Sequence, residues 1–196
     1  MGKGDQTRNA ILQIALNQAS RLGLEGLSIG GLASAVGMSK SGLFAHFGSK
    51  KGLQMAVLEQ ASQTFIDIVI RPAIREPRGE PRVRGLFEGW MTWTERAELE
   101  GGCLLASSPW EFDDRPGPVR DLLESTLAEL HTTLGRAAEI SVGQGHFKAD
   151  LDIEQFAFEL HAIMLGYHIQ KRLFRREAAT KRARNAFERL LRDARA

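Results

Sequence analysis

Residues 28–47, SIGGLASAVGMSKSGLFAHF, decide how this chain is read. Ser28 can accept a backbone N–H at the start of a short helix whose Ile29, Leu32, Ala33 and Val36 turn inward. Gly37 tolerates the positive backbone dihedral that ends such a helix. Ser39 opens a second short helix with Leu43, Phe44 and Phe47 as its apolar residues, and Gly48-Ser49 breaks it. Two short capped helices joined by Gly37-Met38-Ser39 have helix-turn-helix layout. In that layout the first helix crosses a DNA backbone and the second enters the major groove. Ser39, Lys40, Ser41 and Gly42 form the first turn of the second helix. Small hydroxyl side chains and one lysine can approach a groove there without clash, and the amides of a helix start favour phosphate.

Outward from this segment, apolar residues recur at helical spacing almost throughout, so the chain is expected to be all-α. Thr7 can cap a first helix to about Leu22, with Ile11, Leu12, Ala15, Leu16 and Ala19 on one face, and Gly23 stops it. A fourth helix runs from about Lys50 to Ile70. Pro72, Pro77, Gly79 and Pro81 mark 71–81 as a boundary. The expected organisation is a three-helix DNA-binding domain over 1–53, a linking helix over 50–70 and a helical body over 71–196. In the body, a helix spans about 82–98, and a short apolar segment runs from Cys103 to Trp110. A turn-rich loop covers Asp113 to Pro118. Pro118 suits the first position of a long helix to about Val142. Asp152 caps another helix to about Phe174, and a last one covers about 179–194. The total is about nine helices, with no internal repeat.

Charge follows the same division. Residues 1–51 carry six Lys/Arg against two Asp/Glu, residues 85–170 five against fifteen, and residues 171–196 ten against three. A basic head on an acidic body suggests that the head meets an anion such as nucleic acid. The basic C-terminal run reads as a solvated helix face. The 196 residues are 43% hydrophobic and 26% charged, which are globular values. Cys103 stands alone, which rules out an intramolecular disulfide. No apolar run reaches the length of a membrane span, and Met1 to Arg8 lack a signal core, so a cytoplasmic protein is expected.

The last two helices are apolar around a wide arc. Phe156, Phe158, Leu160, Ile163, Met164, Leu165 and Ile169 cover more of the circumference than one core contact uses. A second copy of the chain, related by two-fold symmetry, can cover the remainder, so a homodimer through these helices is expected.

Residues 7–53, from Thr7-Arg8 through Gly23, Ser28, Leu32-Ala33, Gly37, Ser39, Leu43, His46-Phe47 and Lys50 to Leu53, resemble the N-terminal domain of the TetR/AcrR family of transcriptional regulators. They make up about a quarter of the chain. GGCLLASSPWEFDDRPGPVRD looks like a segment found in some members. The resemblance implies that Ser28 bonds a phosphate and that Ser39, Lys40, Ser41 and Gly42 face the groove. It also implies that His46 and Lys50 reach phosphates. Lys40 is the candidate for a base contact, to guanine. Phe44 departs from the family, many of whose members have tyrosine there, and lacks the hydroxyl for a phosphate contact. The implied partners are operator DNA and a small-molecule effector whose binding in the body releases a repressor from DNA.

Candidate effector-lining residues are Trp90, Met91, Trp93, Cys103, Trp110, Phe112, Leu127, His131, Phe156, His161, Met164 and His168. An aromatic and methionine-rich lining suits a bulky apolar ligand, and the same residues equally suit a core. His161 and His168 lie on one helix face, either as a metal or ligand pair or as interface or hydrogen-bonded histidines. Glu111, Asp113 and Asp114 beside Trp110 read as a cation-receiving cluster or a solvated loop. The residues contain no phosphate loop, nucleophile elbow or metal cluster, so neither catalysis nor a cofactor is expected. The alternatives are a helical dimeric enzyme and a scaffold without DNA binding.

Overall fold

The computed structural model describes residues 2–96 and 99–196. Its helices are α1 (Lys3–Leu22), α2 (Ile29–Val36), α3 (Lys40–Phe47), α4 (Lys50–Phe65), α5 (Arg71–Arg75), α6 (Glu80–Thr94), α7 (Leu104–Ser107), α8 (Pro109–Phe112), α9 (Pro118–Gly143), α10 (Ile153–Arg172) and α11 (Ala179–Ala194), with a π-helical turn at Ile66–Ile70. The fold is all-α. Among the described residues, α4, the π turn and α5 form one continuous run and α7 abuts α8, which leaves nine helical runs. The chain forms two compact units, 1–64 with 96–126 and 65–95 with 127–196.

The first unit is built on α1. Ile11, Leu12, Ala15, Leu16 and Ala19 are buried, one stripe at helical spacing. Leu24, Leu27, Leu32, Leu43 and Leu53 are fully buried with them, and each such side chain contributes about 1.5–3 kcal/mol. Helix α1 begins at Lys3, so Thr7 lies inside it and does not cap it. Gly2 and Gly4 precede Thr7, but the helix continues N-terminally through Gly4 to Lys3. Gly23, at φ 76°, ends α1 as expected. The segment after α6 returns to this unit. A Cβ at Gly101 would lie 1.5 Å from the Ser20 carbonyl oxygen, and the Gly101 amide donates to the Ser20 hydroxyl at 3.0 Å. Only glycine permits this approach to α1.

In the second unit α6 packs on the π turn, α5 and α10, and α10 packs on α11. Phe87 and Phe187 stack at 4.0 Å between ring centroids, and the Trp90 and Tyr167 rings meet edge-on at 6.2 Å. The helical run from Lys50 continues past Ile70 and through Pro72 to Arg75. Proline removes an amide and crowds the preceding turn. Just ahead of it the π turn widens the helix, and the Arg71 amide bonds back to the Ile66 carbonyl. Helix α6 starts at Glu80 and ends at Thr94. Residues 97–98 of the helix expected over 82–98 lie outside the described residues. Pro118, Asp152 and the last helix stand where the sequence puts them.

The two C-terminal helices differ in their outer faces. Helix α10 exposes Phe158, Ile169 and, just beyond its end, Leu173, at 61, 39 and 73%. Ala162 and Gly166 lie between them and are also exposed. The apolar residues of α11 are turned inward. Its outer face carries Arg182, Asn185, Glu188, Arg189 and Arg192. The wide apolar arc read over both helices is therefore a property of α10 alone.

Candidate nucleic-acid interface

The α2–α3 unit is shaped by its caps. The Ser28 hydroxyl accepts the Gly31 amide at 3.0 Å, and the Ser39 hydroxyl accepts the Gly42 amide at 3.1 Å. Both serines have extended backbone and remain exposed. Gly37 sits at φ 67°, ψ 29°, and the next amide, of Met38, bonds back to the Ala33 carbonyl at 2.9 Å. This closure sets the turn between the helices. Leu43 and Phe47 bury one side of α3, and the Arg8 guanidinium covers the Phe47 ring at 5.3 Å. The opposite side presents Lys40, Ser41, Phe44 and Ala45 to solvent, with His46 half-buried. The Ser39 and Ser41 hydroxyls are 3.1 Å apart.

Two lysines lie differently from an extended side chain awaiting a partner. The Lys40 stem folds back across Gly30 of α2, where a Cβ would stand 3.1 Å from its Cε. Lys50, at the start of α4, donates to the Glu25 carbonyl oxygen at 2.6 Å and to the Glu25 carboxylate at 3.3 Å. That carboxylate also accepts from Gln54 at 3.0 Å and faces Arg115 at 3.4 Å. The Gln54 bond, followed by the Lys50 and Arg115 charges, holds its pKa below the usual glutamate value against a burial penalty.

In the segment read as a cation-receiving cluster or a solvated loop, Glu111 is committed to the chain itself. The Glu111 carboxylate accepts the amides of Leu24 at 3.2 Å and Glu25 at 2.8 Å. It clamps the loop between α1 and α2. Residues 86 positions apart give no local signal of such a contact. The clamp by Glu111 and the grouping of Glu25 with Gln54 and Arg115 are thus absent from the sequence reading. Phe112 and Arg115 also line a cavity of about 170 Å³ at the start of α9, together with Lys51 and Arg120.

The candidate effector-lining residues divide between the units. Cys103 and Phe112 are buried in the first, where Trp110 stands 70% exposed. In the second, Trp90, Met91, Trp93, Phe156, Met164 and His168 are buried, with His131 and His161 half-buried. Leu127, at the start of this unit's part of α9, is half-buried as well. His161 pairs across helices with His131, Nδ1 to Nε2 at 2.7 Å, rather than along its own helix with His168. Burial, then the neighbouring His131, pushes the His161 pKa down to about 4. Among the described residues, the Nε2 atom of His168 and the indole nitrogen of Trp93 are buried without a hydrogen-bond partner.

Residues 11–57 match the family described as bacterial regulatory proteins, tetR family, and residues 79–187 match the tetracyclin repressor-like C-terminal domain. The chain belongs to the TetR family of transcriptional regulators. It is 29% identical over 128 residues to the HTH-type transcriptional regulator RutR of Escherichia coli K12, a stretch covering 62% of this chain and 58% of RutR. The chain thus spans less than two thirds of that TetR-family relative. Among solved structures, a transcriptional regulator from Saccharomonospora viridis in complex with choline superposes with a TM-score of 0.84 at 20% identity, over 98% of this chain and 99% of that one. AibR in complex with isovaleryl coenzyme A and operator DNA gives 0.77 at 20% identity, over 95% and 98%. No helix among the described residues is long and apolar enough to cross a membrane.

Proposed function

We propose that this chain is a ligand-responsive repressor that binds operator DNA through α2 and α3. The observation that carries this reading is the outer side of α3. Ser39, Lys40 and Ser41 stand exposed at the first turn of a helix capped and closed against α2. Ser28 and Lys50 start the two neighbouring helices and contact phosphates, His46 reaches the backbone, and Lys40 reads a base edge. Phosphate contacts position the head and base contacts specify the sequence.

The head works in pairs. Two copies associate through the exposed face of α10, with α11 alongside, and the dimer presents two α3 helices to successive major-groove faces about 34–36 Å apart. A cytoplasmic location and an organic effector held by the second unit complete the reading. Regulators of the same fold hold choline in one case and isovaleryl coenzyme A in another. Gel shift with the DNA upstream of its own coding sequence tests the proposal. Binding that weakens steeply with salt supports it, and no binding at low salt overturns it.

A further inference from the structure

We propose that Phe44 is a base-reading residue that recognises the C5 methyl group of thymine. The inference rests on the DNA-binding reading above and goes beyond it by assigning an apolar half to the recognition surface.

The exposed side of α3 consists of two i, i+4 rows, Lys40 with Phe44 and Ser41 with Ala45. Three of these are small or cationic. Phe44 is a large apolar side chain, 54% exposed, and among the described residues its ring meets no other aromatic ring. The buried side of α3 is already occupied by Leu43 and Phe47, so Phe44 is surplus to the core. A phenyl ring has no group to offer a phosphate. In the major groove its one complementary surface is the thymine methyl, the apolar feature that separates A·T and T·A pairs from the others.

Phe44 is one helical turn beyond Lys40 on the same exposed row, about 6 Å along the axis. Lys40 supplies a donor suited to guanine. Each half-site then contains a thymine read by an apolar contact beside a base read by charge.

The test begins with duplexes selected from a randomised pool by the wild-type protein. The enriched duplex is resynthesised with deoxyuridine in place of thymidine, which deletes the methyl and keeps every hydrogen-bonding group. One version carries the change inside the half-sites and a control carries it outside them. The expected result is about four-fold weaker binding for each methyl buried, the factor equivalent to ~0.8 kcal/mol, with the control unchanged. The variant Phe44→Ala, checked for retained helicity and melting temperature, binds the thymine duplex more weakly than wild type and no longer distinguishes it from the uracil duplex. Equal wild-type affinity for both duplexes overturns the proposal. So does a Phe44→Ala protein that keeps the wild-type ratio. Failure to enrich any duplex overturns the DNA-binding reading itself, and this proposal with it.

Discussion

The Lys50 ammonium is held by Glu25, 2.6 Å from its carbonyl oxygen and 3.3 Å from its carboxylate. The lysine that the proposed function assigns to phosphate is thus held on an anion of its own chain. On that proposal, DNA displaces the carboxylate or shares the lysine with it. Lys50→Ala should weaken binding to all sequences alike. It should also flatten the plot of log affinity against log salt by about 0.9 for each phosphate left without its lysine. Glu25→Gln should tighten binding, by at most about five-fold for an exposed pair. Fluorescence anisotropy across a salt series measures both. A Lys50→Ala protein with the wild-type slope removes Lys50 from the phosphate-binding residues.

Ser39 caps α3, and the proposed function adds a groove-facing role for the same hydroxyl. Removing the cap leaves the Gly42 amide without its 3.1 Å acceptor. Ser39→Ala should therefore cost about 1 kcal/mol of stability, read as a lower urea midpoint at unchanged slope. Ser41→Ala removes only the exposed 3.1 Å contact to the Ser39 hydroxyl and keeps the Gly42 cap bond, so it should leave stability within about 0.5 kcal/mol of wild type. Equal midpoints for wild type and Ser39→Ala would show the cap to be without energetic effect.

The His131–His161 pair predicts a pH window. His161 has an ordinary value of 6.5 and a folded value of about 4, set first by burial and then by His131. The unfolded chain takes up this proton before the folded one does. Stability is therefore full above about pH 6.5 and falls as pH drops towards 4. His168, pushed down to about 4 by burial and then by Arg172, acts in the same direction. Glu80, whose pKa is lowered to about 2 chiefly by its hydrogen bond from Arg195, loses its contribution only below its ordinary 4.5. Melting temperatures between pH 7 and 4.5 should decline, and His161→Gln should decline less. Parallel curves for the two proteins would contradict the assignment to His161.

The apolar side of α10 predicts the dimer. Phe158, Ala162, Gly166, Ile169 and Leu173 follow one another along a single exposed face. Ile169→Glu should give a monomer in sedimentation velocity with unchanged helicity, because Ile169 is 39% exposed in the single chain. A wild-type monomer whose mass is independent of concentration would remove the dimer from the account.

Local signals made most of the fold readable. Ser28, Ser39 and Asp152 cap helices, Gly23 and Gly37 end them, and Pro118 starts one, because each acts on amides within a few residues. Thr7 is not a cap because the helix runs on to Lys3 through Gly4, a glycine that does not stop it. Pro72 does not end the run from α4 because the π turn accommodates it, a compensation that no residue type announces. The long-range contacts of both units are hidden for another reason. Glu111 on the Leu24 and Glu25 amides, Lys50 on Glu25 and His161 on His131 all join distant positions. Spacing along one helix suggests His168 for His161, yet a neighbouring helix supplies the nearer ring.

The most direct test of the account is anisotropy of a labelled duplex from the DNA upstream of the coding sequence, titrated with wild type, Lys40→Ala and Lys50→Ala over a range of salt. The account predicts salt-sensitive binding by wild type. It also predicts weaker binding by Lys50→Ala on every duplex. For Lys40→Ala it predicts a loss of about 1–3 kcal/mol confined to duplexes that keep the preferred base. No binding at low salt, or both variants at wild-type affinity on every duplex, would contradict it.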